Sequence, residues 1–227
     1  MKEGMKFDEG KARWELVPTE YFVSLSQVIQ SFIERHMLRE KKITFNQEYI
    51  YNVVRANIFR WRLMGLNGPL GRAHPLMDAT VGLLMLAKKK EYCYEDVFPE
   101  FSFVQRWDLI DAEWTTKLAE VYTYGAKLYE DNNWQQVESD RYYAALNRHI
   151  DKYAINKLFD EESGLHHLYH AAWNCIALMW FESHTPIPEP ILKTARKLRG
   201  IDAIDVKIPT VKKKSVKKKV VKKKRKN

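Results

Sequence analysis

Asp160-Glu-Glu-Ser-Gly-Leu-His-His-Leu-Tyr-His170 is an acidic turn that runs into three histidines. On a helix, His166 and His170 are four residues apart and His167 and His170 three apart, so each pair shares a face. The apolar helical pattern of Trp173 to Phe181 follows at once. This predicts a helix from Leu165 to Ser183, with Ser163 as its N-cap. Imidazoles so placed can share a metal ion or a phosphate, and His149 can join them from a neighbouring helix.

An earlier stretch repeats this one. Gly71-Arg-Ala-His-Pro-Leu-Met-Asp-Ala79 aligns with Gly164 to Ala171 once one residue slips, and the apolar run Val81 to Ala87 follows it. Further upstream, Arg13-Trp-Glu-Leu-Val17 matches Arg106-Trp-Asp-Leu-Ile110. Ile50-Tyr51 aligns with Tyr142-Tyr143, and Ile58 with Ile150. The expectation is an all-α fold of two tandem related helical units, residues 1–92 and 101–185, produced by internal duplication. Helices are expected over Pro18/Thr19 to Leu38, Glu48 to Met64 (closed by Gly65 and Gly68), Pro75 to Lys90, Asp111 to Leu128 and Asp140 to Leu158. Pro186, Pro188 and Pro190 then make a rigid break, with a short helix from Glu189 to Leu198. This gives a third segment, 186–206, and a Lys-rich tail, 207–227.

That tail decides how the charge is read. The chain has 38 Lys and Arg against 29 Asp and Glu, a net charge of +9. Residues 207–227 hold 11 Lys, one Arg and no acid, so 38 less 12 leaves 26 basic against 29 acidic residues in 1–206. The body is therefore mildly acidic. Twelve like charges in 21 residues repel one another, so the tail is expected to be disordered and to bind DNA or RNA without sequence preference. No apolar run reaches the roughly 18 residues of a membrane span, and Met1-Lys-Glu-Gly-Met-Lys lacks a signal-peptide core. Cys93 and Cys175 form neither a disulfide framework nor a metal motif. A cytoplasmic protein is expected, in the host cytoplasm if it is phage-encoded. Gly-rich phosphate loops, Gly-x-Ser-x-Gly and Cys-x-x-Cys are absent from the sequence. His166-x-x-x-His170 lacks the Glu of a zincin helix.

The combination of pieces resembles the phage-type dATP/dGTP diphosphohydrolases (MazZ-like), relatives of the all-α MazG-type nucleotide pyrophosphatases. Carrying the resemblance are Lys6-Phe-Asp-Glu-Gly-Lys-Ala-Arg-Trp-Glu-Leu-Val-Pro18, the Tyr-Gly-Ala-Lys127…Tyr129…Asn133-Trp134 block, Arg141-Tyr…Ala-Leu…Arg148-His149, and Glu162-Ser-Gly-Leu-x-His-Leu-x-His-Ala171. The resemblance implies a MazG-like helical bundle that converts purine deoxynucleoside triphosphates to monophosphate and pyrophosphate. It also implies a divalent metal, Mg or Mn, held by acids. Glu120 and Glu162 sit in the matching motifs and are the expected metal ligands, with His170. His149, His167 and His170 are expected to position metal or phosphate. His166 falls at a variable position of the motif. Lys11, Arg13, Lys127, Arg141 and Arg148 are expected phosphate contacts, and Asn133 and Trp134 base contacts.

The signature is divided. Lys6 to Arg13 lies in the first unit, whereas the His and acid motifs lie in the second, and Asn57 stands where the second unit has His149. Two readings stay open: one composite site per chain after complementary loss, or a first unit that is scaffold only. An inactive helical scaffold that binds nucleic acid through the tail is the alternative function, and a phosphohydrolase that releases triphosphate whole is another. MazG-type enzymes build sites between protomers, so an internal duplication can replace a homodimer, or the chain can dimerise again.

Overall fold

The computed structural model describes residues 11–64, 74–99 and 106–184. Lys6 to Gly10, Gly65 and Gly68, the 186–206 segment with its short helix and the 207–227 tail lie outside the described residues. The fold is all-α, and among the described residues the one sheet is a small hairpin. Its helices are α1 (Thr19–His36), α2 (Gln47–Met64), α3 (Pro75–Ala87), α4 (Tyr94–Val97), α5 (Ala112–Leu128), α6 (Ser139–Ala154) and α7 (His167–His184). The hairpin, β1 (Leu38–Arg39) and β2 (Lys42–Ile43), follows α1.

The order 3-10 turn, helix, helix, helix occurs twice. Trp14–Leu16 leads into α1, α2 and α3, and Trp107–Leu109 leads into α5, α6 and α7. Residues 1–185 form one compact unit. α3 and α7 pack against each other at its centre, α2 and α1 flank α3, and α6 and α5 flank α7. The leading turns cross over: Trp14–Leu16 sits on α5 and Trp107–Leu109 on α1. The Arg13 N–H donates to Thr123 Oγ1 at 2.7 Å, and the Arg106 N–H donates to the Ser26 carbonyl at 3.3 Å. Each half is thus closed by the start of the other.

Central position explains composition. α3 is buried from Leu76 to Met85, and α7 almost throughout from His167 to Met179. Neither can show the polar stripe of a surface helix. α1 and α6 carry that stripe instead, with Leu25, Ile29, Phe32 and Ile33 inward on α1 and Tyr142, Leu146 and Ile150 inward on α6. Pro75 at the first position of α3 costs no hydrogen bond there, and the His74 ring accepts from the Leu76 N–H at 3.2 Å as its cap.

The α2–α3 contact depends on Gly82. A Cβ placed there would lie 2.5 Å from Val54 Cγ2. Gly82→Ala is therefore expected to overpack the crossing, and the clash outweighs the helix propensity Ala would add, for a net loss of about 1–3 kcal/mol. Thermal unfolding checks this, and an unchanged or higher Tm contradicts it.

Three expectations need correction. α7 begins at His167 rather than Leu165, and its first turn is capped by the His166 ring, whose Nδ1 accepts from the Leu168 N–H at 3.1 Å. Ser163 lies in the loop before it. α3 stops at Ala87, where Lys88 turns to extended backbone. α6 stops at Ala154, because Asn156 adopts φ 61° and the Leu158 carbonyl is taken by the His167 N–H at 2.8 Å.

Candidate active site

α5, α6 and α7 surround a cleft of about 590 Å³. Its floor is aromatic, its walls are the Glu130–Trp134 connection and the start of α6, and imidazoles stand at one end. The loop between α6 and α7 builds that end. A bridge pairs Phe159 with His166. Inside it the Asp160 N–H donates to the Leu165 carbonyl at 2.8 Å, and the Gly164 N–H donates to the Asp160 carbonyl at 2.9 Å. Gly164 has φ 71°, a conformation that side chains with a Cβ rarely take.

This closed loop aims Asp160 at the first turn of α7. Asp160 Oδ2 accepts from the Ser163 N–H at 3.0 Å and from the Ser163 hydroxyl at 2.9 Å. The hydroxyl has one proton, so toward His170 Nε2, 2.7 Å away, its oxygen accepts. That places the His170 proton on Nε2. The other side of the cluster comes from α6. His149 Nδ1 is 2.9 Å from His167 Nδ1, and the His149 ring stacks on His170 at 4.8 Å. Asp160 is 4.0 Å from His167 Nδ1 and 3.9 Å from His170 Nε2.

The electrostatics keep these rings uncharged. Burial pushes His149 down to about 3, reinforced by His170 and His167. Burial pushes His170 down to about 4, against the pull of Asp160. His167 is lowered by burial as well. Burial raises Asp160, but hydrogen bonds from Ser163 and the nearby imidazoles outweigh it and hold the carboxyl below its ordinary range. At neutral pH the cluster is therefore three neutral imidazoles, each with one lone-pair nitrogen, and one carboxylate. His149, Asp160 and His167 each place a ligand atom within 4.8 Å of the other two.

The cleft gathers many of the residues singled out from the sequence. Asn133, Trp134, Arg141, Arg148, His149, Glu162 and His170 line it, and His167 adjoins His149. Arg141 and Arg148 have no ion-pair partner among the described residues. Glu162 is exposed and accepts from Tyr124 OH at 3.5 Å. Other residues are placed elsewhere. Glu120 lies one turn before Tyr124 on α5, accepts from Lys117 Nζ at 2.8 Å, and does not line the cleft. Lys127 is exposed on the last turn of α5, outside the cleft lining, and Lys11 is exposed. The Arg13 guanidinium grips Asp131 through two hydrogen bonds of 2.6 and 2.8 Å and also reaches Glu15 at 2.8 Å. It holds the cleft wall rather than pointing into the cleft. Sequence reasoning counted Asp160 among the acids of the second half but preferred Glu120 and Glu162, and it did not foresee Ser163 as the partner of Asp160. The available signal was the Asp-x-x-Ser spacing, which lets a carboxylate accept from the backbone three residues on.

The comparisons with known proteins fall on this same region. Residues 104–188 match the family described as dATP/dGTP diphosphohydrolase, N-terminal. A relative from Salmonella phage PMBT28, a dATP/dGTP diphosphohydrolase, is 33% identical over 78 residues. That match spans 34% of this chain and only 27% of the relative. No solved structure matches the chain. Across residues 104–188, the stretch that holds the whole imidazole cluster, the chain is thus similar to the dATP/dGTP diphosphohydrolase family.

Proposed function

We propose that the cleft hydrolyses purine deoxynucleoside triphosphates to the monophosphate and pyrophosphate with the help of a divalent metal. The observation that carries this is the convergence of His149, Asp160, His167 and His170 at one end of a cleft that also presents Arg141 and Arg148. The donor set fits a divalent cation: neutral imidazoles and an ionised carboxylate, already held by a closed loop. Two imidazole nitrogens and one carboxylate oxygen suit Mn, Co or Zn better than Mg, which prefers oxygen ligands. His149, Asp160 and His167 would hold the ion. When bound, such an ion neutralises phosphate charge and lowers the pKa of a coordinated water.

The rest is done by the chain itself. Arg141 and Arg148 offer planar donor forks for phosphate oxygens. Ser163 fixes both Asp160 and His170, the role an outer partner plays for a ligand. Glu162 at the rim can take a proton from water or substrate. The test is a panel of dNTPs and NTPs with Mg, Mn, Co or Zn, with products resolved by chromatography. Purine dNMP plus pyrophosphate supports the reading. Release of whole triphosphate points to a different hydrolase, and intact nucleotides from folded protein overturn it.

The crossed-over leading turn gives this proposal a composite character. Arg13 comes from the first half and grips Asp131, beside Asn132 at φ 56° and Glu130 at φ 147° in the connection that lines the cleft. Arg13→Ala is expected to loosen that wall and raise KM about two- to fivefold with kcat unchanged, the scale of an exposed ion pair. Arg13→Lys, which keeps the charge but loses the fork, should fall between. Unchanged KM in both variants would assign Arg13 to the fold alone. On this reading the halves descend from one duplicated unit, and the first half contributes its start rather than a second site. The 207–227 tail would add nonspecific nucleic-acid binding. Deleting it should abolish salt-sensitive DNA retention and leave hydrolysis of free nucleotides unchanged.

A further inference from the structure

α2 buries one face and leaves the other bare. Ile50, Val54, Asn57, Ile58 and Trp61 are buried. Opposite them, by the period of the helix, stand Tyr49, Asn52, Ala56, Phe59 and Leu63. All five are exposed, Tyr49 by 40%, Phe59 by 45% and Leu63 by 86%. Their spacing of three, four, three and four is the seam along which one helix packs on another. The seam carries no charge, whereas the outer face of a surface helix ordinarily does. The duplication sharpens the contrast. In the alignment that sets Ile50 on Tyr142 and Ile58 on Ile150, the same five positions of α6 are Arg141, Ala144, Arg148, Asp151 and Ile155. α6 thus has Arg141 and Arg148, which line the cleft, where α2 has Tyr49 and Ala56. The first half has exchanged cleft cations for an apolar seam. Its two aromatic groups are already held in place: Phe59 lies under the Arg55 guanidinium at 5.2 Å, and Tyr49 OH is 3.4 Å from His36 Nδ1. Side chains held in advance lose less entropy on association.

We propose that this seam is the interface of a homodimer in which α2 of one copy packs antiparallel on α2 of another. The seam is self-complementary about Ala56, as a two-fold contact requires. Ala56 meets Ala56 at the axis, where small side chains let the helices approach. Tyr49 of one copy meets Leu63 of the other. Asn52 falls opposite Arg60 of the other copy, whose exposed guanidinium has no ion-pair partner among the described residues. On the flank toward α6, Glu48 of one copy falls beside Arg62 of the other. The two Arg55 groups near the axis are each neutralised by Asp151 of their own chain at 3.2 Å. A parallel pair would instead set Arg55 against Arg60 on both sides, cation against cation. Charge therefore selects the antiparallel pair. One helix pair is small for a specific interface, so association in the micromolar range is expected. The seam shares no residue with the cleft lining, so the inference does not depend on the reaction proposed above.

Sedimentation velocity of the full-length protein over a concentration series tests this. The measurement is made in high salt after nuclease treatment, so that nucleic acid held by the 207–227 tail does not bridge copies. Wild type should pass from monomer to dimer as concentration rises. Phe59→Glu and Leu63→Glu put a charge in the seam and should each weaken association about 30-fold or more, the loss of an interface hot spot. Tm in dilute solution should stay level, because both side chains are already exposed. Ile155→Glu, at the aligned position of α6, should leave the dimer intact. A cross-link reads the register. With the exposed Cys93 replaced by Ser, Ala56→Cys should give a disulfide-linked dimer on mild oxidation, since the two-fold axis passes between the two copies of residue 56. A wild type that stays monomeric at every concentration overturns the proposal and leaves the seam to a different partner. A dimer that persists in both charged variants overturns it too, by placing the contact on another face. Association lost in those variants without cross-linking at residue 56 overturns the antiparallel pairing.

Discussion

Asp160→Asn should lower kcat/KM at least about 100-fold and weaken Mn²⁺ or Zn²⁺ binding by a similar factor, while the protein stays folded. The asymmetry between function and fold follows from what Asp160 does. As a hydrogen-bond acceptor it holds the Ser163 N–H and hydroxyl, and an Asn oxygen can do the same. As an anion it faces His167 and His170 at about 4 Å, and Asn cannot supply that charge. Tm should therefore move by only a few degrees, the scale of about 1 kcal/mol in a chain of this size. Glu120→Gln is the paired control. Glu120 accepts from Lys117 and does not line the cleft, so activity within about twofold of wild type is expected, the near-neutral outcome usual for surface changes. Metal titration calorimetry and nucleotide hydrolysis read both variants. If Asp160→Asn keeps full turnover and Glu120→Gln loses it, the metal is held by the carboxylates on α5 and the His cluster is structural.

Much of this arrangement was legible in the sequence, and the gaps have physical causes. Every long helix of the described residues was foreseen, because the amphipathic stripes of α1 and α6 and the apolar runs of α3 and α7 are local signals. The β1–β2 hairpin was not. Its turn places Glu40 at φ 47° and Lys41 at φ 60°, a conformation usually announced by Asn-Gly, so no turn residue marked it. The His cluster was legible because helical spacing puts His167 and His170 on one face and the aligned motif brought His149 beside them. The choice among acids was not. Glu120, Glu162 and Asp160 are equivalent as letters. Only the loop closure from Asn156 to Gly164 puts Asp160 against the imidazoles, and that depends on a positive φ and a carbonyl bond across the helix start.

Removing Arg35 should be among the most destabilising single changes outside the apolar core, and the reason bears on how the first half differs from the second at this position. Asp78 is 3% exposed on α3 and receives two hydrogen bonds of 2.8 Å from the Arg35 guanidinium on α1. By the alignment of the two halves, Asp78 stands where α7 has His170, and Asn57, itself buried, stands where α6 has His149. The first half therefore fills this place with an internal ion pair rather than with imidazoles. Arg35→Met strands a buried carboxylate. Breaking a fully buried pair costs about 3–5 kcal/mol. The Arg35 side chain is 42% exposed, so solvent screening reduces this to about 2–3 kcal/mol. The double variant Arg35→Met/Asp78→Leu should recover most of that loss, because an apolar pair leaves no buried charge uncompensated. Denaturant unfolding of the two singles and the double gives the coupling directly. Strictly additive losses would mean that the pair is not coupled and that Asp78 is held by the fold around it. Recovery in the double, with nucleotide hydrolysis unchanged, would show that the first half stabilises this position by charge pairing while the chemistry stays with α6 and α7.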